Sequence, residues 1–181
     1  MAGGHLSRLY RIALCLVVGM CGLSDIRAQQ PVAFEQQRTA LLEVFLAELG
    51  VNDRHTISNY LAYTKLSYGH EWCAAFVSWC FGQLGYVEPR TPWSPSLFPK
   101  QRRVWERARA SPKTVILPGM VWGIHIHAKG RIGHVGFVEK EHNGVITTVE
   151  GNTGPPEGKG PNGVYRKRRS LRTISVIADW L

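Results

Sequence analysis

The sequence predicts an α+β fold in which N-terminal helices pack on an antiparallel β-sheet. Apolar residues recur at helical spacing up to about residue 85, and strand-like patterns follow from about residue 114. Helices followed by strands, instead of an alternation of the two, are typical of this class. A hydrophobic content of 44% and six Trp in 181 residues support a single packed core. This composition excludes a chain that is disordered throughout.

The first 28 residues have the pattern of a signal peptide. Arg8 and Arg11 precede an apolar run over 12–23, which is too short to span a bilayer comfortably. Small and polar residues follow and end at Ala28, so we predict cleavage after Ala28 and a single domain over 29–181. This places the protein in a secreted or periplasmic location. Two alternatives remain open: lipid attachment at Cys21 and an uncleaved anchor, and only these would give contact with a membrane.

Three helices are predicted before residue 86. The first covers 29–50, where Phe34, Leu41 and Phe45 share one face and Gly50 can end the helix. The second is shorter and covers 56–64. The third begins at Cys73, is rich in Ala and aromatic residues, and ends at Gly85.

Two cysteines remain once Cys15 and Cys21 are assigned to the signal peptide. Cys73 and Cys80 lie on the third helix, where seven residues rise by about 10 Å. A disulfide requires Cα atoms within about 7 Å, so the two thiols are predicted to be free. The first turn of a helix favours a thiolate through its free N–H groups and its dipole. We therefore predict that Cys73 is a nucleophile and that Cys80 is a packed apolar residue.

The second half of the chain is predicted to form the sheet. Prolines recur over 89–99 and indicate a loop, and the basic residues of 100–110 suggest a short helix. Strands are predicted over 114–117, 120–127, 134–141, 145–150 and 174–178. Glycine-rich loops are predicted over 128–133 and 151–163.

A hairpin at Asn143-Gly144 joins the strand that begins with His134 to the strand that ends near Glu150 and Asn152. A two-residue loop would place His134 on the opposite face from both polar residues. A three-residue loop, His142-Asn143-Gly144 with a left-handed Gly144, would place His134 opposite Asn152 and all three on one face. We predict the three-residue loop, because Gly144 suits the left-handed position. This register gives the imidazole a carboxylate or amide within reach that can fix its tautomer.

Taken together, these motifs resemble the CHAP family of amidohydrolases and peptidases in the papain-like NlpC/P60 group. The matching elements span about 50–155 and are Trp72-Cys73-Ala74-Ala75-Phe76-Val77, Pro118-Gly119, Gly133-His134-Val135-Gly136 and Glu150-Gly151-Asn152. The sequence departs from the family at Met120, where Asp often follows Pro-Gly. This departure concerns the local loop and not the proposed chemistry.

The resemblance implies a papain-like fold and an enzyme that cleaves an amide bond of peptidoglycan, as an N-acetylmuramoyl-L-alanine amidase or as an endopeptidase of the stem peptide or cross-bridge. Cys73 would be the nucleophile and His134 its base, with Glu150 preferred over Asn152 as the group that orients the imidazole. Trp72 and Gly133 are predicted to contact substrate. A catalytically silent wall-binding module, an antibacterial toxin and a transamidase or acyltransferase remain alternatives.

The partner is predicted from charge and from this resemblance. The chain carries a formal charge of +9, and it stays basic without residues 1–28, which suits an anionic partner such as the cell wall. The arginines of 102–109 and 166–169 fit equally well as solvated surface, so we predict no nucleic-acid binding. His125 and His127 alternate along a strand but supply only two ligands, so no metal or other cofactor is expected. We predict a monomer.

Overall fold

The computed structural model describes residues 23–111 and 113–181. Residues 1–22, which hold most of the predicted signal peptide with Cys15 and Cys21, lie outside the described residues. The predicted cleavage point at Ala28 falls within a helix that begins at Leu23, and cleavage there stays a prediction. Among the described residues, no helix is both long enough and apolar enough to cross a membrane.

Three α-helices form the N-terminal half, in the order that the sequence predicts. They are α1 (Leu23–Ala47), α2 (Arg54–Tyr63) and α3 (Cys73–Gln83). Asp53 caps α2, because its Oδ1 accepts a hydrogen bond from the backbone N–H of Thr56 at 2.9 Å. Gly85 follows the end of α3 with a φ of 80°, a left-handed conformation that glycine adopts without strain. Burial on most sides of α3 makes it the central helix of the domain.

Six strands form one sheet in which every neighbouring pair is antiparallel. The strands are β1 (Arg103–Glu106), β2 (Val121–Ile126), β3 (Arg131–His142), β4 (Val145–Thr153), β5 (Gly163–Ser170) and β6 (Val176–Ala178), and their order across the sheet is β1-β6-β2-β3-β4-β5. The α+β class is therefore confirmed, and the architecture is consistent with a papain-like fold.

Two clusters of buried apolar residues stabilise the domain. The larger one joins the helices to the sheet, and in it Phe45 of α1 stacks on Phe137 of β3 with ring centroids 4.6 Å apart. The smaller one gathers Trp105, Trp122, Val138 and neighbouring residues. Gly151 allows β4 to approach α3 closely, because a Cβ at this position would lie 2.7 Å from Cβ of Phe76. This contact brings the end of β4 next to the start of α3.

Two predicted elements are wrong, and two strands were missed. Residues 100–110 form no α-helix: two short 3₁₀ turns, Lys100–Arg102 and Arg107–Arg109, flank β1, which pairs with β6 and buries Trp105. Residues 114–117 form no strand, although Ile116 and Leu117 pack on the smaller cluster. Strands β1 and β5 were not predicted.

Candidate active site

Cys73 is the first residue of α3, at the end where the backbone N–H groups lack helical partners. The helix begins there because the N–H of Phe76 bonds the carbonyl of Trp72 at 2.9 Å. The Cys73 side chain is 3% exposed and lines a pocket of about 330 Å³. Its Sγ lies 3.7 Å from Oγ of Ser94, in the proline-rich loop. The nucleophile predicted from sequence therefore faces a space that a substrate can enter.

The β3–β4 hairpin differs from the prediction in its loop but not in its register at the site. His142 pairs with Val145, so the loop has two residues, Asn143 and Gly144, with φ of 51° and 76°. Both values are positive, as a type I′ turn requires. A shift in register between Val138 and Lys140 marks an irregularity at Glu139, and beyond it Phe137 pairs with Val149. The predicted three-residue loop is wrong. The irregularity at Glu139 moves the pairing of β3 with β4 by one residue, and the strands near His134 therefore have the register that the three-residue loop would have given.

This register brings His134 to Glu150. The imidazole Nε2 lies 2.9 Å from Oε2 of Glu150, and the carboxylate is fully buried. Gly136 lies beside Glu150 on the neighbouring strand, and a Cβ there would come within 3.2 Å of Cγ of Glu150. Since Nε2 bonds Glu150, the other ring nitrogen, Nδ1, is the one available to the Cys73 thiol.

The carboxylate of Glu150 is held by two further residues. Arg169 of β5 donates from Nε to Oε1 and from Nη2 to Oε2, each at 2.6 Å. Thr148 donates from its hydroxyl to Oε1 at 2.6 Å. The guanidinium of Arg169 also lies 4.9 Å from the ring centroid of Trp122. Both oxygens of a buried carboxylate are therefore satisfied, which offsets the cost of its burial.

The pKa values of the three groups support an ion pair between Cys73 and His134. Burial opposes ionisation of Cys73, but hydrogen bonding to His134 and its positive charge bring the pKa of the thiol below its ordinary value. Burial also lowers the pKa of His134, yet hydrogen bonds to Cys73 and Glu150 raise it to about 9. Burial raises the pKa of Glu150, but Arg169 and His134 lower it to about 2. Near neutral pH these shifts favour a thiolate, an imidazolium and a carboxylate.

The segment that carries Cys73, His134 and Glu150 matches a known protein family. Residues 65–152 match the family model of the CHAP domain. The resemblance to the CHAP family is therefore confirmed over these residues. Neither the comparison with curated proteins nor that with solved structures found a significant match. CHAP domains are hydrolases of the amidase and peptidase type.

Within the matched region, the remaining predicted site residues occupy different places. Asn152 and Gly133 line the pocket beside Cys73, and Asn152 has a left-handed φ of 58°. In the described part of the chain, it is Glu150 that bonds the imidazole and not Asn152. Trp72 is 5% exposed and packs against Tyr60 at 5.7 Å between ring centroids. Trp72 therefore belongs to the larger buried cluster and is not among the residues that line the pocket.

Three residues that contact the catalytic candidates were missed from sequence. Ser94 belongs to a loop that was only expected to shape the groove, and Thr148 is a buried residue on β4. Arg169 lies outside the residues matched to the CHAP domain and was interpreted as solvated surface. Strand alternation is the signal that could have found it, because residues 165, 167 and 169 of β5 share a face with Thr148 and Glu150.

Three other sequence features play no part in the site. Cys80 is fully buried, and burial raises the pKa of its thiol, so its environment is the opposite of that around Cys73. Both thiols are free.

His125 and His127 pack edge to face with ring centroids 5.2 Å apart. No set of three or more His, Cys, Asp or Glu that could hold a metal is found in residues 23–111 and 113–181. Met120, where the family often has Asp, is buried in the smaller cluster.

Proposed function

We propose that this protein is an exported cysteine hydrolase that cleaves an amide bond of bacterial peptidoglycan. The observation that carries the proposal is that Cys73 and His134 line one pocket and that the His134 imidazole bonds the buried carboxylate of Glu150, in a region that matches the CHAP domain. The bond cleaved is either the one between muramic acid and L-alanine or one within the stem peptide or cross-bridge. The basic charge of the chain suits this anionic substrate.

The geometry supports a two-step acyl transfer. The Cys73 thiolate attacks the amide carbonyl carbon, and the carbonyl π electrons move to oxygen. Backbone N–H groups at the start of α3, including that of Cys73, are placed to hold this oxyanion. As the tetrahedral intermediate collapses, the C–N bond breaks and His134 gives its proton to the leaving amine. The product of this step is a thioester on Cys73 and a free amine.

Water completes the reaction. Neutral His134 takes a proton from water, the hydroxide attacks the thioester carbonyl, and the C–S bond breaks. A carboxylic acid leaves, and the Cys73 thiolate and the His134 imidazolium are restored. Glu150 stays ionised throughout, because its pKa is lowered to about 2, and it stabilises the imidazolium in the resting enzyme. Arg169 and Thr148 act as positioning residues, since they contact Glu150.

The two cysteines provide the test. We expect Cys73→Ala to abolish the release of soluble muropeptides from purified sacculi, because no other thiol borders the described pocket. Cys80→Ala is the matched control and should retain most of the activity, since Cys80 is buried in the core. Equal release by Cys73→Ala and the unmodified protein would end the proposal. Binding to sacculi with no release by the unmodified protein would favour a silent wall-binding module.

Mass spectrometry of the released fragments identifies the bond. New free L-alanine amines indicate an amidase, whereas new D-alanine carboxyls or bridge fragments indicate an endopeptidase.

Export is proposed from the basic and apolar pattern of residues 1–28. Protein recovered from outside the cytoplasm should begin at Gln29 when its N-terminal peptide is sequenced. Recovery of the intact chain only in the cytoplasm would contradict export and would leave the chemistry of the CHAP domain unaffected.

A further inference from the structure

A cluster of three charged residues lies at one side of the pocket that holds Cys73. Glu71 and Lys129 line the pocket, and Arg131 lies beside them at the start of β3. Lys129 Nζ forms an ion pair with Oε1 of Glu71, and Nη2 of Arg131 lies 3.5 Å from Oε2 of the same carboxylate. We refer to Glu71, Lys129 and Arg131 as the charged rim.

The charged rim carries one positive charge more than its carboxylate can balance. Glu71 faces two cations, and the hydrogen bond from Lys129 lowers its pKa, so it is ionised near neutral pH. The other charged side chains of the pocket compensate one another: Arg169 is paired with Glu150, and the Cys73 thiolate is paired with the His134 imidazolium. The surplus charge therefore belongs to Lys129 or Arg131, and it lies next to the nucleophile.

Lys129 is the better placed of the two cations to meet a ligand. The guanidinium of Arg131 lies 4.1 Å from the ring centroid of Trp93, donates to the carbonyl of Ile132 at 3.0 Å and contacts Glu71. Lys129 has an ammonium with three donors and bonds Glu71 with one of them. Its side chain is one-third exposed and lines the pocket. Two N–H donors of Lys129 can therefore serve an acceptor on the substrate.

We propose that Lys129 binds a free carboxylate of the peptidoglycan stem peptide close to the scissile amide, and that the enzyme selects stem peptides in which this carboxyl is not amidated. The inference rests on the proposed function, because it identifies the ligand by the substrate class proposed there. A carboxylate suits the site because it neutralises the surplus charge and accepts the spare donors of Lys129. An amine of the stem would compete with Lys129 and Arg131 for Glu71, so the charged rim disfavours it.

The test measures binding, so that it does not depend on hydrolysis. The ligands are a disaccharide tetrapeptide muropeptide with all carboxyls free and versions in which one carboxyl at a time is amidated: that of D-glutamate, of diaminopimelate or of the terminal D-alanine. The Cys73→Ala protein binds these ligands without turning them over. We expect one amidation to weaken binding about 10-fold, as loss of a charge-assisted hydrogen bond does, and the amidation that does so identifies the carboxylate.

Variants assign the effect to Lys129. In the Cys73→Ala background, Lys129→Gln should weaken binding of the free-carboxyl muropeptide about 10-fold and remove the discrimination between ligands. Lys129→Arg should keep the discrimination. Lys140→Gln, which changes an exposed lysine away from this pocket, should leave every affinity unchanged. Equal binding of all four ligands, no binding of any, or an equal loss on all four in Lys129→Gln would overturn the inference.

The outcome is separable from that of the proposed function. Carboxylate-dependent binding with no release of muropeptides by the unmodified protein would uphold the role of Lys129 and contradict hydrolysis. Release of muropeptides with no carboxylate dependence would do the reverse.

Discussion

Cys73 and Cys80 lie on the same helix and are both almost fully buried, yet the pKa values of their thiols are shifted in opposite directions. Burial raises the pKa of Cys80, and the Glu48 carboxylate raises it further. Burial acts in the same direction on Cys73, but His134 reverses the result. Burial alone therefore makes a cysteine inert. Ionisation of the thiol at the start of α3 is favoured because β3 brings an imidazole to it and Glu150 of β4 keeps that imidazole charged.

His134→Ala should remove this difference between the two cysteines. The loss of the hydrogen bond and charge from His134 leaves burial as the main influence on Cys73, so its pKa should rise above the ordinary thiol value, as that of Cys80 does. Release of muropeptides should fall by about 10³-fold or more, since both the base and the acid are lost. The pH dependence of iodoacetamide alkylation measures the thiol directly.

The alkylation experiment needs a single reactive thiol. A protein with Cys15, Cys21 and Cys80 changed to Ala provides it, and the same protein with His134 intact is the control. Unchanged alkylation at pH 7 in His134→Ala would contradict the assignment of His134 as the partner of Cys73.

Glu150→Gln should have the next largest effect. The amide keeps the size of the side chain but loses the charge that raises the pKa of His134, and it leaves the Arg169 guanidinium beside a neutral group. We expect a loss of about 10²-fold in kcat/KM for muropeptide cleavage. Asn152→Ala is the matched comparison and should cost less than about 10-fold, because Asn152 lines the pocket without bonding the imidazole. A larger loss in Asn152→Ala than in Glu150→Gln would reverse the two roles.

The sequence predicted the parts of the site that depend on local patterns. The start of α3 at Cys73 follows from its apolar, Ala-rich run, and the strands that carry His134 and Glu150 follow from their alternation. The register at the site was also right, but for the wrong reason. Asn143 tolerates a positive φ and closes a two-residue turn in place of the predicted three-residue loop. The irregularity at Glu139 then shifts the pairing of β3 with β4 by one residue, which gives the predicted register near His134.

Parts that depend on tertiary contacts were not predictable in the same way. Residues Arg103–Glu106 begin and end with a charged side chain and follow two basic residues, yet they form an edge strand because β6 offers them a pairing partner and the smaller cluster buries Trp105. Arg169 looked like solvated surface because its run contains four consecutive basic residues. Its role depends on a carboxylate from the neighbouring strand, which one-dimensional charge patterning does not reveal.

Arg169→Met tests whether this arginine positions the catalytic carboxylate or merely stabilises the sheet. In the unmodified protein the pKa of Glu150 is lowered to about 2, so its contribution to stability and to the imidazolium is complete above its ordinary pKa and is lost only as pH falls towards 2. Burial raises the pKa of Glu150 and the Arg169 guanidinium lowers it, so the pKa should rise when Arg169 is removed. The acid limb of kcat/KM should then move to higher pH, with a loss of about 10-fold at pH 6 that is smaller at pH 8.

The alkaline limb provides the internal reference for that measurement. Because the pKa of His134 is raised to about 9, activity of the unmodified protein should decline through that pH as the imidazolium disappears. Arg168→Met, which changes the exposed neighbour of Arg169, should alter neither limb, and Arg169→Lys should restore part of the acid-side activity because it returns the charge without the paired geometry. A loss in Arg169→Met that is equal at every pH would assign Arg169 to folding alone. Glu150 would then owe its ionised state to Thr148 and His134.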